Sequence, residues 1–372
     1  APFGEPRGVG PGDAVIPEGA TDAQRVGDEW IGRVVDALGR PIDGGPPVGG
    51  RHMVPLYRPA PNPFQRKPVK QMLETGVAVV DSMLSCGRGQ RLGIFAGAGV
   101  GKSTLMGMLA RQSDADLTIL TLVGERGREV RHFLDDILGE DGLKKSIVLV
   151  STGDTAPILR IRLAFLATAL AEYFRDQGKN VVLMLDSLTR FATAARELGL
   201  AAGEPPATRG FPPSVFSLLP KLIERAGNGV GGGTMSAFYT VLVEGDDLTE
   251  PVADSVRALL DGHFVLDRHK AEAGHFPAID VLASISRMAE DLMSPVHAEI
   301  VRTVRAILAA QTEVADLVQV GAYQPGSDPA IDRAIKLAPE LTDCFLQNRT
   351  DHRSLATTLS ELQSILAVGY EA

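Results

Sequence analysis

Cysteine is scarce in this 372-residue chain: Cys86 and Cys344 lie far apart, in no metal-type or redox-type spacing. That excludes a disulfide framework and points to a reducing compartment. Aromatics make up only 5%, with a single tryptophan, and no aromatic–basic interleaving of the kind that stacks single-stranded nucleic acid is present. Positive charge is in deficit, 37 Lys and Arg against 46 Asp and Glu, for a net charge of −9. A protein that works by gripping nucleic-acid phosphates carries a basic surface instead. No apolar run approaches the length of a membrane span, and the start, at Ala1, has no basic-then-apolar leader, so a processed or trimmed end is expected. What remains, 44% apolar and 22% charged residues, suits a soluble protein of two or three domains with a sizeable core.

The texture changes twice along the chain. Residues 1–70 are rich in glycine and proline, as in "GVGPGDAVIPEG" and "DALGRPIDGGPPVGG", which suits turns and short strands. We read residues 1–40 as the remnant of a β-rich domain and 41–70 as an extended linker. From 71 to 293 apolar runs ("RLGIFA", "LTILTLV", "SIVLVS", "VVLML", "SAFYTVLV") alternate with helical stretches. Strands that are apolar throughout are covered on both faces, so a mostly parallel α/β sheet is expected. From 294 to 372 strands stop and helical spacing takes over, with Ser294 and Asp328 as candidate N-caps.

Three stretches carry chemistry. In "GIFAGAGVGKSTL" an apolar run leads through a glycine loop into a helical pattern, the setting of a phosphate cradle. Gly97, Gly99 and Gly101 let backbone N–H groups close on phosphate oxygens, Lys102 supplies the charge and Ser103 a hydroxyl for Mg²⁺. The usual first glycine is replaced by Ala96, which matters only if that position needs a positive φ. In "VVLMLDS" a buried strand ends in Asp186, where a carboxylate holds Mg²⁺ in such sites. In "LTLVGERGREV" Glu125 ends another strand and is the candidate general base. The bland alternatives are a glycine-rich turn with a chance lysine, an ordinary strand-end aspartate and a solvated loop glutamate.

These stretches, together with "LDSLTRFA", "AAGEPPATRGFPPSVFSLLPKLIERAG", "TVLVEGDDLTEPVADSVRALLDGHFVLDR" and "FPAIDVLASISR", resemble the flagellar protein export ATPases. Those are relatives of the injectisome secretion ATPases and of the catalytic subunit of rotary ATP synthases. The resemblance runs from about residue 25 to the end, and "VEGDDLTEPVADSV" and "VGAYQPGSDPAIDRAI" favour the flagellar branch. It implies a RecA-like P-loop core, a partial N-terminal β-barrel and a small C-terminal helical domain. It implies a homo-hexamer that hydrolyses ATP with Mg²⁺ to energise type III export, releasing and unfolding substrates from chaperones.

Carried over residue by residue, the loop Ala96, Gly97, Ala98, Gly99, Val100, Gly101, Lys102, Ser103 and Thr104 binds phosphates. Alanine at the first loop position is usual in that branch. Ser103 and Asp186 attend Mg²⁺, Glu125 is the base, and Arg126 and Arg190 face the γ-phosphate. Arg287 is an arginine finger offered to a neighbour, and Phe276 packs on adenine, a core or hinge role being the alternative. The implied partners are a coiled-coil stalk, an ATPase regulator, an export gate, and export chaperones and their cargo. The place is the bacterial cytoplasm, peripheral at the export apparatus on the cytoplasmic membrane. The family's N-terminal barrel is represented here only by its last part, which puts ring assembly in question.

Some signals stay outside that reading. His263, His269 and His275 recur every six residues, a spacing that leaves them on no common helical face, so we read solvated loop histidines and not a metal site. The proline-rich stretch 203–214 faces the ring's central hole by resemblance, a structural linker being the alternative. A non-catalytic ring subunit would not need a glutamate at 125, and a nucleic-acid translocase is disfavoured by the acidic balance; no nucleic-acid partner is expected.

Overall fold

The computed structural model describes residues 22–368 and, before them, residues 3, 4, 8, 10, 12–14 and 16. Most of the expected barrel remnant before residue 22 therefore lies outside the described residues. The chain begins with short strands between glycine and proline breakers: β1 (Ala23–Val26), β2 (Val34–Val35), β3 (His52–Pro55) and β4 (Met72–Leu73). Helix α1 (Ala78–Met83) and β5 (Cys86–Gly87) follow. Then come β6 (Arg91–Ala96), α2 (Lys102–Gln112), β7 (Leu117–Glu125), α3 (Gly127–His132), α4 (Gly139–Lys144), β8 (Ser146–Thr152), α5 (Pro157–Asp176) and β9 (Asn180–Asp186). The alternation continues through α6 (Leu188–Ala201), α7 (Pro213–Ile223), β10 (Thr234–Leu242), α8 (Pro251–Leu259), β11 (Gly262–Leu266), α9 (Arg268–Glu272) and β12 (Ile279–Ser286). Beyond β12 the described residues hold only helices: α10 (Ala289–Leu292), α11 (Pro295–Gln319), α12 (Pro329–Cys344) and α13 (Leu355–Val368). One helical stretch is less regular than its sequence suggests. "EVRHFLDDILG" forms α3, a π-helical turn over Phe133–Leu138 and then α4, with Gly139 at φ 68°, where a side chain would be strained.

Contacts group the chain into two compact units. The first comprises Ala1–Val69, Arg88–Ala98 and Ala115–Asp261. Its strands lie in the order β6, β10, β9, β7, β8, β2, and every neighbouring pair is parallel. Every residue of β7 and β9 is buried, as expected of a sheet covered on both faces. In a parallel sheet all strands end on one side, so Asp186 and Leu122 pair near the carboxyl ends of β9 and β7.

Within this unit the proline-rich segment 41–67 is fastened by charge. Arg225, fully buried, donates to both carboxylate oxygens of Glu172 (3.0 and 2.6 Å) and to the Leu56 carbonyl (2.5 Å). Arg58 joins the same carboxylate at 2.7 Å, and Arg66 donates to the Ala226 carbonyl at 2.6 Å. Removing one member of such a buried pair costs about 3–5 kcal/mol, because the other charge is left in the core. Trp30, also fully buried, donates its indole N–H to the Gly49 carbonyl at 2.7 Å.

The second unit comprises Lys70–Gly87, Gly99–Asp114 and Gly262–Ala372. It holds the antiparallel pairs β4–β5 and β11–β12 and helices α1, α2 and α9 to α13. Ser294 caps α11 by accepting from the His297 N–H, and Asp328 caps α12 by accepting from Ala330 and Ile331. From the first turn of α1, the Asp81 carboxylate accepts from the Thr75 N–H and hydroxyl and from the Gly76 N–H. Burial pushes Asp81 up to about 7 against the pull of these bonds.

Candidate functional site

The loop after β6 resolves the alanine question. Ala96 is the last, fully buried residue of β6. Among the described non-glycine residues only Arg209 has a positive φ, so Ala96 keeps a conformation open to any residue. The turns are made by Gly99 (φ 78°) and Gly101 (φ 89°), and Lys102, Ser103 and Thr104 are the first three residues of α2. Helix starts leave N–H groups without intrahelical partners and carry positive partial charge, which suits phosphate.

In the second unit, a Cβ at Gly101 would stand 3.0 Å from the Phe276 ring, so loop turn and ring are in direct apposition. They line a cavity of about 470 Å³ together with Thr104, Met108, Pro277 and the strap 347–350. Phe276 is 38% exposed, beside the start of α2. The strap is held rigidly. The Gln347 N–H donates to the Phe276 carbonyl at 2.9 Å, and its amide donates to the carbonyls of Gly76 (2.7 Å) and Asp351 (2.6 Å) while accepting from the Ala78 N–H (2.8 Å). Arg111 and Gln112 of α2 both donate to the Arg349 carbonyl. Nothing in the local sequence marks this strap, because its partners lie far away along the chain. Arg287 does not join this cavity. It is exposed just beyond β12 and lines a second cavity of about 640 Å³ with Met293, Arg302 and Arg305.

In the first unit the carboxylates sit at strand tips. Glu125 ends β7 and is 7% exposed, and Arg190 Nε approaches its Oε1 at 3.2 Å. Asp186 ends β9, 3% exposed, and accepts from the Thr240 hydroxyl at 2.7 Å. Ser187 then caps α6 by accepting from the Arg190 N–H, which fixes Arg190 in the first turn. Arg126 pairs with Glu129 at 3.2 Å, on the exposed side of α3. Thr240 is a site residue that the sequence reading missed, since its partner is 54 residues away.

Of the residues expected to attend Mg²⁺, the first unit offers a carboxylate, Asp186, and the second a hydroxyl, Ser103, both hard oxygen ligands. Magnesium keeps several waters and takes few protein ligands, so each of these two donors is of a kind that suits it. Among the described residues no group of three or more His, Cys, Asp or Glu could hold a metal by itself. No helix of the described residues is long and apolar enough to cross a membrane.

Comparison with known proteins places this geometry. The nucleotide-binding domain of the ATP synthase alpha/beta family matches residues 76–286, and the C-terminal domain of the type III secretion ATPase EscN matches 293–364. A flagellum-specific ATP synthase from Treponema pallidum is 52% identical over 98% of this chain and 82% of its own. A type 3 secretion system ATPase from Xanthomonas euvesicatoria is 49% identical over 97% and 81%. The assembled ATPase EscN of enteropathogenic E. coli, solved with its central stalk EscO, superposes with a TM-score of 0.87 at 44% identity, covering 93% of this chain and 83% of that one. Phosphate loop, strand-tip carboxylates and two matching domains thus agree: the chain belongs to the ATP synthase alpha/beta family, among the ATPases of flagellar and type 3 secretion systems.

Proposed function

We propose that this chain is the flagellar form of that ATPase, hydrolysing ATP with Mg²⁺ as a homo-hexamer at the cytoplasmic face of the export apparatus. The observation that carries the chemistry is the glycine loop leading from buried β6 into α2, with Lys102 at the helix start. In this reading residues 71–293 are the ATPase domain and 294–372 the helical C-terminal domain, with the two matched family domains in support. The loop from Ala96 to Thr104 cradles the phosphates, and Phe276 packs on adenine in the cavity it shares with Gly101 and Thr104. Bound magnesium would neutralise developing phosphate charge, with Ser103 and Asp186 as its protein ligands. Glu125 takes the proton of the attacking water, and Arg190 and Arg126 meet the γ-phosphate. Arg287 serves a neighbouring copy.

The relative solved with its stalk supports a ring around a central partner, which the proline-rich loop 203–214 would face here. Regulator, export gate, chaperones and cargo belong to the same proposal. An injectisome ATPase is the second reading, favoured by the Xanthomonas relative, whose 49% identity lies close to the 52% of the flagellar one. Adding a flagellar stalk and regulator protein tests the choice: stimulation of ATP turnover is expected, and stimulation by injectisome counterparts alone would overturn it. The chemistry is tested with Lys102→Ala, which should lose turnover and bind ATP weakly, and with EDTA, which should stop turnover. Full activity in either case would sink the phosphate-loop reading.

A further inference from the structure

Beyond the Glu125–Arg190 pair lies a second charge pair that none of the motifs above includes. Arg160, in the first turn of α5, has a side chain only 10% exposed. It donates from Nη2 to Glu197 Oε2 at 2.7 Å and from Nε to the Thr155 carbonyl at 3.1 Å. Glu197 stands on α6 seven residues after Arg190, two helical turns along the same face. The two arginines meet over Gly124, the residue before Glu125. A Cβ there would lie 3.2 Å from the Arg190 Cδ and 3.6 Å from the Arg160 Cδ. The result is a run of four charges, Glu197, Arg160, Arg190, Glu125, in which two acidic ends flank two arginines.

Adjacent guanidinium groups repel unless each is compensated. Arg160 is compensated by Glu197, whose side chain is 42% exposed, and is pinned by a backbone carbonyl. Arg190 therefore shares the space over Gly124 with a fixed, neutralised neighbour, which restricts it to a position beside Glu125. We propose that Arg160 and Glu197 are positioning residues that hold Arg190 in place for the γ-phosphate, and so set the preference of the site for a triphosphate over a diphosphate. This rests on the reading above that Arg190 faces the γ-phosphate. Glu197→Gln keeps the shape but leaves Arg160 uncompensated, which pushes on Arg190. Arg160→Gln empties part of the space over Gly124 that confines Arg190.

The experiment measures affinities of the full chain for Mg²⁺–AMP-PNP and Mg²⁺–ADP by titration, with thermal midpoints alongside. Arg190→Gln should lower the triphosphate-to-diphosphate affinity ratio by about tenfold or more, the worth of a charge-assisted contact. Glu197→Gln and Arg160→Gln should each lower it by about 3- to 10-fold with ADP affinity nearly unchanged, as coupled neighbours do. Added to Arg190→Gln, either change should lower the ratio no further. Three outcomes overturn the inference while Arg190→Gln behaves as expected: an unchanged ratio in both variants, equal weakening of both nucleotides, or a full extra loss on top of Arg190→Gln. If Arg190→Gln itself leaves the ratio unchanged, the γ-phosphate role of Arg190 falls instead. Should Arg160→Gln fail to fold, Glu197→Gln alone decides, since its side chain is half in solvent.

Discussion

The strand-tip carboxylates of the first unit and Phe276 and Arg287 of the second are held in opposite ways. Glu125 and Asp186 are nearly buried at strand tips, each against a named partner, Arg190 and Thr240. Phe276 shows 38% of its surface and Arg287 stands exposed. A buried carboxylate has its position dictated by the sheet around it, whereas an exposed ring or guanidinium acquires a fixed position only from what docks on it. In the proposed reading, chemistry that must be pre-organised is thus placed on strand ends, and recognition on surfaces that something else completes.

Three substitutions press on that contrast. The largest effect is expected at the exposed end: Arg287→Ala should lower turnover by about 10³–10⁵-fold, the range for an arginine finger. Mixed at high concentration with an equally dead Lys102→Ala, it should regain partial activity, because some interfaces then pair an intact loop with an intact arginine. No recovery while light scattering shows rings would mean that Arg287 serves its own copy. Next, Glu125→Gln should keep ATP binding while turnover falls by about 10²–10⁴-fold, the worth of a positioned base. If it weakens binding as much as Lys102→Ala does, Glu125 is an electrostatic ligand and not the base. The smallest effect belongs to Phe276→Ala, which should weaken ATP binding by about 3- to 15-fold through lost stacking and leave the rate at saturation nearly unchanged. An equal loss for inorganic triphosphate, which has no base, would show that the ring shapes the phosphate loop instead.

Much of this was legible in the sequence, and the reasons are local. Continuous apolar runs marked β6 to β10 because a parallel sheet is buried on both faces, and short caps marked α11 and α12 because a helix start must satisfy its own N–H groups. The phosphate loop was legible for the same reason, all its parts being adjacent in the chain. What stayed hidden depends on contacts between distant residues. Thr240 reaches Asp186 across a strand pair, Arg160 reaches Glu197 between helices, and Gln347 ties a strap to Gly76, Ala78 and Phe276. None of these pairings has a sequence period, so no motif could announce them. The break in "EVRHFLDDILG" was hidden differently: its spacing is helical, and only the left-handed Gly139 interrupts it.

The fastening of segment 41–67 has a mechanical consequence. A glycine- and proline-rich tether would be read as a slack cord that stretches before it pulls. Here Arg225 grips Leu56, Arg58 grips Glu172 and Arg66 grips Ala226, so the cord is stapled over residues 56–66 to the body that carries β7 to β10. A torque applied to the short strands β1 and β3 would reach the end of α5 without taking up slack, as a shaft keyed to its wheel turns with it.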